Sequence, residues 1–150
     1  MEQLVKEMPS NSGRWISLHD RNITSIVCNE NSVQFYFDEF TLVDGDNVTY
    51  TKGGFIELSD CNADEFSCYI IRRKTSPKGA KSYGKPISLK ELADMISEKD
   101  KSIELFLELY ECNYFHWRGE FFPYDKKHRL SDLVIIETMD FFTMTYYWEE

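Results

Sequence analysis

The segment IELFLELYECNYFHWRGEFF, residues 103–122, decides the fold that we predict for this chain. Its first half alternates with a period of two, as the strands of a half-buried sheet do. The alternation divides the side chains between two faces, with Ile103, Leu105, Leu107 and Leu109 on one and Glu104, Phe106, Glu108 and Tyr110 on the other. A second, aromatic alternation follows the break at Cys112, and Gly119 permits a bend or bulge near its end. We therefore predict an antiparallel strand pair in the middle of a sheet.

Most of the remaining chain also has the pattern of strands separated by turn residues. Residues 14–37 predict a meander of three strands. Residues 132–148 predict a long final strand or a bent strand pair. Its inward-facing side chains would be Val134, Ile136, Phe142, Met144, Tyr146 and Trp148.

One strong helical signal interrupts these strands. Ser88 and Glu91 form a capping box, in which each side chain can bond the backbone of the other residue. An apolar stripe with helical spacing follows, formed by Leu89, Leu92, Ala93 and Ile96. We therefore predict a mainly β (α+β) fold, an antiparallel curled sheet or sandwich of about eight to ten strands with one short helix near residues 88–98.

The length of the chain favours a single domain over residues 1–150. Residues 1–13 are mostly polar and end in Ser-Asn-Ser-Gly, so we expect a flexible tail there. Residues 74–87, KTSPKGAKSYGKPI, contain two prolines, two glycines and four lysines. Because proline and glycine interrupt regular elements, we predict an exposed loop or connector for this segment.

The charge of the chain is strongly negative and unevenly placed. There are 17 Lys and Arg against 26 Asp and Glu, which gives a formal net charge of −9. Residues 72–89 nevertheless contain six basic residues and no acidic one. A negative surface repels nucleic acid and anionic membranes and favours basic protein partners. We therefore expect a protein partner and no membrane partner, and the overall charge disfavours nucleic acid.

The cysteines and the N-terminal residues indicate the compartment. Cys28, Cys61, Cys68 and Cys112 lack the spacing of a metal site or a redox motif, and Cys28 and Cys68 are expected to be small core residues. No apolar run follows Met1, so no signal peptide is expected. No segment has the roughly eighteen apolar residues of a membrane span. The expected compartment is a reducing cytoplasm.

No pattern in the sequence specifies a catalytic or metal site. His19 and Asp20 resemble the metal-binding pair of HD phosphohydrolases, but those enzymes present the pair from a helix and here it ends a predicted strand. There is no nucleophile elbow and no phosphate-binding glycine loop. Glu104 and Glu108 lie on one predicted strand face, where carboxylates are commonly just solvated. We therefore expect no enzyme activity, no catalytic residue, no metal and no cofactor.

The sharper functional prediction concerns the outer face of the central strand pair. If the leucine side of this pair packs on the core, six other side chains face outward: Glu104, Phe106, Glu108, Tyr110, Tyr114 and His116. Aromatic rings supply contact area and carboxylates supply electrostatic steering, so this set is predicted to bind a protein with basic residues. The alternative is that the helix near residues 88–98 packs there and buries Phe106 and Tyr110.

A second binding mode would use the basic segment over residues 72–85. It combines an aromatic ring with six cations, namely Tyr83 with Arg72, Arg73, Lys74, Lys78, Lys81 and Lys85. Such a set can follow a phosphate backbone, but lysines also keep an edge strand unpaired. The alternative function is thus a small-molecule or nucleic-acid-binding module that uses the concave sheet face and this segment. A deep apolar pocket would favour a ligand, and a filled core with an acidic surface would favour a protein partner.

The order of segments also supports a resemblance. SLHDRNITSI, residues 17–26, is followed by a Phe-rich strand, a single capped helix, the strand IELFLELYECN and an aromatic strand ending in glycine. In this order the chain after Trp15 resembles a group of small uncharacterised bacterial proteins with an LHD-x-x-I opening. Some members look like immunity proteins of polymorphic toxin systems, which bind a secreted toxin domain from related cells. The resemblance implies a cytoplasmic immunity-type protein that occludes a basic toxin domain such as a nuclease, and it carries over no catalytic residue.

Overall fold

The structure is a computed structural model, and it describes residues 2–5, 13–111, 113–123, 131–139, 141 and 143–149. In this part of the chain there are thirteen β-strands, one α-helix and one short 3₁₀ helix. The helices are α1 (Leu89–Glu98) and the 3₁₀ helix Ala63–Glu65. The strands are β1 (Glu2–Val5), β2 (Arg14–Ser17), β3 (Asn22–Cys28), β4 (Ser32–Phe37), β5 (Thr41–Asp44), β6 (Asn47–Tyr50), β7 (Gly54–Ser59), β8 (Phe66–Ser76), β9 (Gly79–Ile87), β10 (Ser102–Glu111), β11 (Tyr114–Phe122), β12 (Leu133–Thr138) and β13 (Met144–Trp148).

Ten of these strands form one antiparallel sheet in the order β1-β13-β7-β4-β3-β10-β11-β12-β8-β9. β10 and β11 lie at its centre, and this confirms the strand pair predicted from residues 103–122. β2, β5 and β6 form a small second sheet in the order β2-β5-β6. The predicted fold class, a mainly β antiparallel architecture with one short helix, is therefore confirmed.

The large sheet curls around an aromatic core. Phe35 of β4 lies 5.0 Å from Trp117 of β11, ring centre to ring centre. β3 and β10 separate these two strands, so in a flat sheet their side chains would lie about 14 Å apart. Phe35 also lies 5.9 Å from Phe66 of β8, and Phe115 is fully buried beside them. Burial of these large rings is a main stabilising contribution of the core.

α1 packs its apolar stripe into the same core. Ser88 Oγ accepts the backbone N–H of Glu91 at 3.1 Å, which is the predicted cap. Leu89, Leu92 and Ile96 are buried, and the helix packs mainly against β3, β8 and the 3₁₀ helix. α1 has ten residues, and within the described chain no helix combines the length and hydrophobicity that a membrane span requires.

The structure corrects the loop predicted for residues 74–87. These residues complete β8 and form β9, in a hairpin whose last pair is Ser76 and Gly79. Gly79 has a φ of 121°, a conformation that favours glycine, so the predicted turn chemistry is confined to the hairpin tip. Pro86 is compatible with β9 because β9 is an edge strand, where the missing N–H does not interrupt a ladder.

The N-terminal predictions also need correction. Glu2–Val5 is not a flexible tail, because β1 pairs with β13 at the edge of the large sheet. Met1 and residues 6–12 lie outside the described residues. β2 does not continue as a meander into β3 and β4 but pairs with β5 in the small sheet. The left-handed turn at Asp20, with a φ of 61°, redirects the chain between β2 and β3.

The predicted final strand is two strands that lie far apart in the sheet. β12 lies between β11 and β8, whereas β13 lies between β1 and β7. The predicted inward side chains Val134, Ile136, Met144, Tyr146 and Trp148 are buried. Phe142 lies outside the described residues. Alternation thus predicted which side chains are buried but not which strands are neighbours.

Cys28 and Cys68 are free thiols. Cys68 is buried in the core, and Cys28 is partly buried and packs against it. Burial raises the pKa of the Cys68 thiol to about 12, and the nearby Cys28 and Glu137 raise it further. Cys112 lies outside the described residues.

Candidate protein-binding face

A bulge half way along β10 reverses which of its side chains face the core and which face outward. Leu105 pairs with Gly119, whereas Leu107 pairs with Arg118, so the register shifts by one residue between them. Phe106 is the extra residue of this bulge. A Cβ atom at Gly119 would lie 2.5 Å from a backbone carbonyl oxygen of β10. Glycine therefore allows the two backbones to approach closely at the bulge.

Beyond the bulge, Glu108 and Tyr110 turn toward the core, and the predicted outward orientation of both is wrong. Tyr110 Oη donates to Glu108 Oε1 at 2.7 Å and accepts from Trp117 Nε1 at 3.0 Å. Glu108 Oε2 accepts the backbone N–H of Leu18 at 2.9 Å. The prediction failed because one extra residue moves every later side chain of a strand to the opposite face.

Burial determines the protonation of this inner network. It raises the pKa of the Tyr110 phenol well above its usual value, and the neighbouring Tyr146 and Glu108 raise it further. Burial raises the pKa of Tyr146 in the same way, with Glu108 again adding to the effect. Both phenols therefore stay neutral at ordinary pH. The network joins the chain after β2 to β10 and β11, so its role is in the fold.

The outer face beyond the bulge carries Leu107 and Leu109, which were predicted to face the core. Leu109 is 51% exposed, and its partner across the strand pair is His116. His116 in turn lies opposite Glu137 of β12. Because paired residues of antiparallel strands point to the same side, Leu109, His116 and Glu137 form one row across three strands.

Hydrogen bonds fix the orientation of His116 within this row. Arg118 Nε donates to His116 Nε2 at 2.9 Å, so Nε2 is an acceptor and the ring proton is on Nδ1. His116 Nδ1 donates to Glu137 Oε2 at 2.8 Å. Tyr114 Oη donates to the same carboxylate oxygen at 3.2 Å. Only 9% of His116 is exposed, so its main role is to hold Glu137 and Arg118 in position.

Two open depressions adjoin this row at one end of the strands. The first, of about 680 Å³, is lined by Glu111, Asn113, Tyr114 and Met139. The second, of about 470 Å³, is lined by Glu65, Ser67, Tyr114, Glu137, Thr138 and Met139. Met139, which is 75% exposed, and Tyr114 belong to both. We call the surface formed by Leu109, Glu111, Tyr114, His116, Glu137 and Met139 the Tyr114 face.

The two remaining predicted residues lie apart from the Tyr114 face. Glu104 is opposite Glu120, near the other end of the β10–β11 pair, and Phe106 is exposed at the bulge. The alternative in which α1 buries both Phe106 and Tyr110 is wrong, because Phe106 is exposed. The Tyr110 hydroxyl bonds Glu108 and Trp117 on the core side of the sheet. The predicted partner-binding residues therefore do not form one surface, and only Tyr114 and His116 belong to the Tyr114 face.

Sequence reasoning missed Leu109, Glu111, Glu137 and Met139 as members of this face. The alternation in β12 places Glu137 on the side opposite the buried Val134 and Ile136, and this could have been predicted. Nothing in the sequence, however, indicates that β12 lies beside β11. Leu109 was missed because the bulge changes the phase of the alternation.

The His-Asp pair near the start of the chain lies at an exposed turn. His19 Nδ1 is 3.1 Å from Asp20 Oδ2, and more than half of each side chain is exposed. Among the described residues, no group of three or more His, Cys, Asp or Glu side chains is placed to hold a metal ion. The geometry therefore adds no metal-binding hypothesis to the predictions from sequence.

Comparison of the chain with models of known protein families, with curated proteins and with solved structures gave no match. The resemblance to immunity-type proteins therefore stays a prediction.

Proposed function

We propose that this chain is a non-catalytic binding protein that captures a cationic protein partner on the Tyr114 face. In the form that the sequence resemblance favours, it acts in the cytoplasm as an immunity-type protein and occludes the basic surface of a toxin domain such as a nuclease. The single observation that carries the proposal is the placement of exposed apolar side chains among carboxylates on this face.

The apolar side chains of the Tyr114 face would supply most of the binding energy. Leu109 and Met139 are largely exposed, and Tyr114 lies between the two depressions. Tyrosine and methionine are enriched at protein interfaces, and methionine adapts its shape to a partner. Covering this apolar area would contribute about 25 cal/mol for each Å² removed from water.

The carboxylates of the depressions favour a cationic partner. Glu65 and Glu111 are exposed, and Glu137 is held in place by its bonds to Tyr114 and His116. A lysine or arginine of the partner would find oxygen acceptors there and could stack on the Tyr114 ring. The formal net charge of −9 adds long-range attraction, which raises the association rate and weakens with salt.

The competing function, a small-molecule site on the concave side of the sheet, has less support. The rings of Phe35, Phe115 and Trp117 fill that side and are fully buried. Phe115 lies 4.3 Å from Trp117 and 6.3 Å from Phe35, ring centre to ring centre. The depressions of the Tyr114 face are open to solvent. Because the packed rings leave little room for a ligand on the concave side, the outer surface is the better-supported binding site.

The test of the proposal compares Leu109→Asp with the control Val48→Asp. Leu109 and Val48 are 51% and 53% exposed, both lie on strands, and both changes add one negative charge. Wild type and both variants are used to capture proteins from the native cell. Affinity for the captured protein is then measured with purified components. We expect a basic partner that binds Leu109→Asp at least about tenfold more weakly than Val48→Asp. Equal affinity for the two variants would contradict a role of the Tyr114 face.

The electrostatic and immunity parts of the proposal have separate readouts. The association rate with the captured partner should fall about tenfold or more between roughly 0.05 and 0.5 M NaCl. Expression of the partner alone should arrest growth, and co-expression of wild type but not of Leu109→Asp should restore it. A rate that does not depend on salt would disprove the electrostatic part. A partner without toxicity would disprove the immunity part.

A further inference from the structure

The hairpin of β8 and β9 extends beyond its neighbours in the large sheet. β12 pairs with β8 as far as Ile71, whereas β9 pairs with β8 as far as Ser76. Among the described strands, residues 72–76 therefore have a neighbour on one side only, over about 17 Å. All of β9 before Ile87 is exposed. We call residues 72–85 the basic ribbon.

The basic ribbon concentrates its cations on one face. Lys74 pairs with Lys81, and Arg72 pairs with Tyr83, so each pair points to the same side. Residues two positions apart on a strand also share a side. The resulting surface consists of Arg72, Lys74, Lys81, Tyr83 and Lys85. Lys74 Nζ lies 5.8 Å from the centre of the Tyr83 ring, which is consistent with this shared face.

Arg73 faces the opposite side and has a structural role. Its Nε donates to the backbone oxygen of Ser131 at 2.9 Å, and its Nη2 donates to Ser131 Oγ at 3.0 Å. Nη2 also lies 3.8 Å from a carboxylate oxygen of Glu120. These contacts fasten the base of the ribbon to the sheet. By contrast, within the described ranges no ion pair joins a cation of the first face to a carboxylate.

The ribbon keeps a positive potential although the chain as a whole is acidic. Residues 72–89 contain no acidic side chain. At physiological ionic strength, charges are screened over about 8 Å, which is shorter than the roughly 17 Å that the ribbon extends. The negative charge of the body is therefore largely screened at the outer part of the ribbon, where Lys74, Lys78 and Lys81 lie.

We propose that the basic ribbon binds nucleic acid through its phosphate backbone. Phosphate oxygens accept hydrogen bonds from lysine and arginine without any demand on base sequence. A duplex major groove admits a two-stranded β-ribbon. Tyr83 is about half exposed and offers a stacking surface to an unpaired base. The phosphodiester backbone is common to single strands and duplexes, and the experiment distinguishes them.

The composition of this face favours a phosphate polymer over an acidic protein. Lysine is depleted at protein interfaces, which gain their energy from buried apolar anchors. The ribbon face offers several lysines and one large ring, Tyr83, whereas the Tyr114 face offers exposed Leu109 and Met139. The two surfaces lie at opposite ends of β8, because Glu137 is opposite Ser67 and the ribbon begins five residues later. They can therefore be tested independently.

The experiment measures fluorescence anisotropy of labelled DNA of about 20 nucleotides, single-stranded and duplex, over roughly 0.03–0.2 M NaCl. The ribbon variant is K74Q/K81Q/K85Q. The matched control, K52Q/K90Q/K99Q, removes three exposed lysines elsewhere. Both variants change the formal charge by three, from −9 to −12. Because all six lysines are exposed, both variants should fold, and circular dichroism with thermal unfolding verifies this.

We expect wild type and the control to bind with a Kd of about 1–100 µM near 0.1 M salt, and the ribbon variant to bind at least about tenfold more weakly. The slope of log K against log salt should fall by about three on duplex DNA and about two on single strands. Tyr83→Ala should weaken binding to single strands about tenfold if the ribbon holds unpaired bases, and Tyr83→Phe should not. Sensitivity to Tyr83→Ala then assigns the ribbon to single strands, and insensitivity assigns it to duplexes.

Three results would overturn the proposal. The first is that wild type fails to bind either DNA at the lowest salt. The second is that the ribbon variant and the control lose affinity equally, which would make the overall charge the cause. The third is that poly-L-glutamate displaces DNA as well as unlabelled DNA does at equal charge concentration, which would favour an acidic protein as the ligand. None of these measurements involves the Tyr114 face, so the proposed function is unaffected by their outcome.

Discussion

The two faces of the β10–β11 pair carry similar hydrogen-bonded chains in opposite surroundings. The inner chain consists of Glu108, Tyr110 and Trp117, and the outer chain consists of Glu137, His116 and Arg118. Each contains a carboxylate, a ring with donor and acceptor atoms, and a further donor, at distances of 2.7 to 3.0 Å. The inner chain is enclosed by the core, whereas the outer chain borders solvent. The same bonding pattern can therefore support the fold on one face and leave a surface for recognition on the other.

The inner and outer chains differ in how much their hydrogen bonds contribute to the stability of the fold. A buried donor or acceptor that loses its partner costs about 1–3 kcal/mol, because no water replaces the lost bond. Where water can replace the lost partner, a hydrogen bond contributes only about 0.5–1.5 kcal/mol. Equivalent changes on the two faces should therefore differ in their effect on the free energy of unfolding.

The largest effect is expected for Trp117→Ala. Trp117 is fully buried and donates to Tyr110, so its removal leaves a large cavity in the core and removes a hydrogen bond. We expect a loss of about 3–5 kcal/mol in the free energy of unfolding, measured by urea denaturation. The control is Trp15→Ala, because Trp15 is half exposed on β2, and it should cost less than about 1 kcal/mol. Similar losses for both would show that the aromatic core does not dominate stability.

The next effect is a loss of stability at high pH. Burial holds the pKa of Tyr110 and Tyr146 above the usual value of about 10, so both phenols stay protonated in the folded chain while the unfolded chain ionises. Their stabilising contribution is complete below about pH 10 and is lost as the pH rises, at up to about 1.4 kcal/mol per pH unit for each tyrosine. The pKa of Cys68, about 12, adds a similar loss that begins near pH 9.

Urea denaturation of wild type and of Tyr110→Phe/Tyr146→Phe across this range measures the tyrosine contribution. Because the double variant lacks both phenols, its free energy of unfolding should fall less steeply above about pH 10, by up to about 2.7 kcal/mol per pH unit. Lysine ionisation affects both proteins and cancels in the comparison. Parallel curves for the two proteins would disprove the assignment of this loss to the inner network.

At neutral pH, Tyr110→Phe tests the inner chain directly against Tyr114→Phe on the outer one. The first change removes the hydroxyl that bonds Glu108 and Trp117 inside the core, and it should cost about 1–3 kcal/mol. The second removes a hydroxyl that bonds Glu137 on the outer face, where water can take its place, so it should cost less than about 0.5 kcal/mol. Equal costs in urea denaturation would remove the energetic distinction between the faces.

Sequence reasoning predicted the elements of this fold better than their connections. Alternation identified β10, β11 and the buried side of β12 and β13, because burial on one side of a strand leaves a period of two in the sequence. The capping pair at Ser88 located α1 for a similarly local reason. Neighbours that are not consecutive in the chain were not predictable, since the pairing of β2 with β5 or of β13 with β7 depends on contacts between distant segments.

The candidate site was less predictable because it depends on one inserted residue. A strand of alternating Leu and acidic or aromatic residues predicts one face throughout, and nothing in residues 103–111 marks Phe106 as a bulge. Gly119 on the facing strand was the one available signal of a bulge, but a glycine does not indicate which strand carries the extra residue. The error therefore reversed the four residues after the bulge, Leu107 to Tyr110, while leaving Tyr114 and His116 on the predicted face.

A small effect on stability, and the most informative one for function, is expected for Glu137→Gln. The amide keeps the shape of the side chain and can still accept from His116 Nδ1, so the cost should be about 0.5–1 kcal/mol. A captured cationic partner should nevertheless bind several-fold more weakly, because a carboxylate that lines the second depression has been neutralised. Glu57→Gln is the matched control, since Glu57 lies on β7 and accepts from Gln34 Nε2 at 2.7 Å. Both variants have a formal charge of −8 instead of −9, so overall attraction falls equally in the two. If partner affinity also falls equally, total charge would direct binding and the outer chain would have no special role. If only Glu137→Gln weakens binding, the contrast between the two faces extends from stability to recognition.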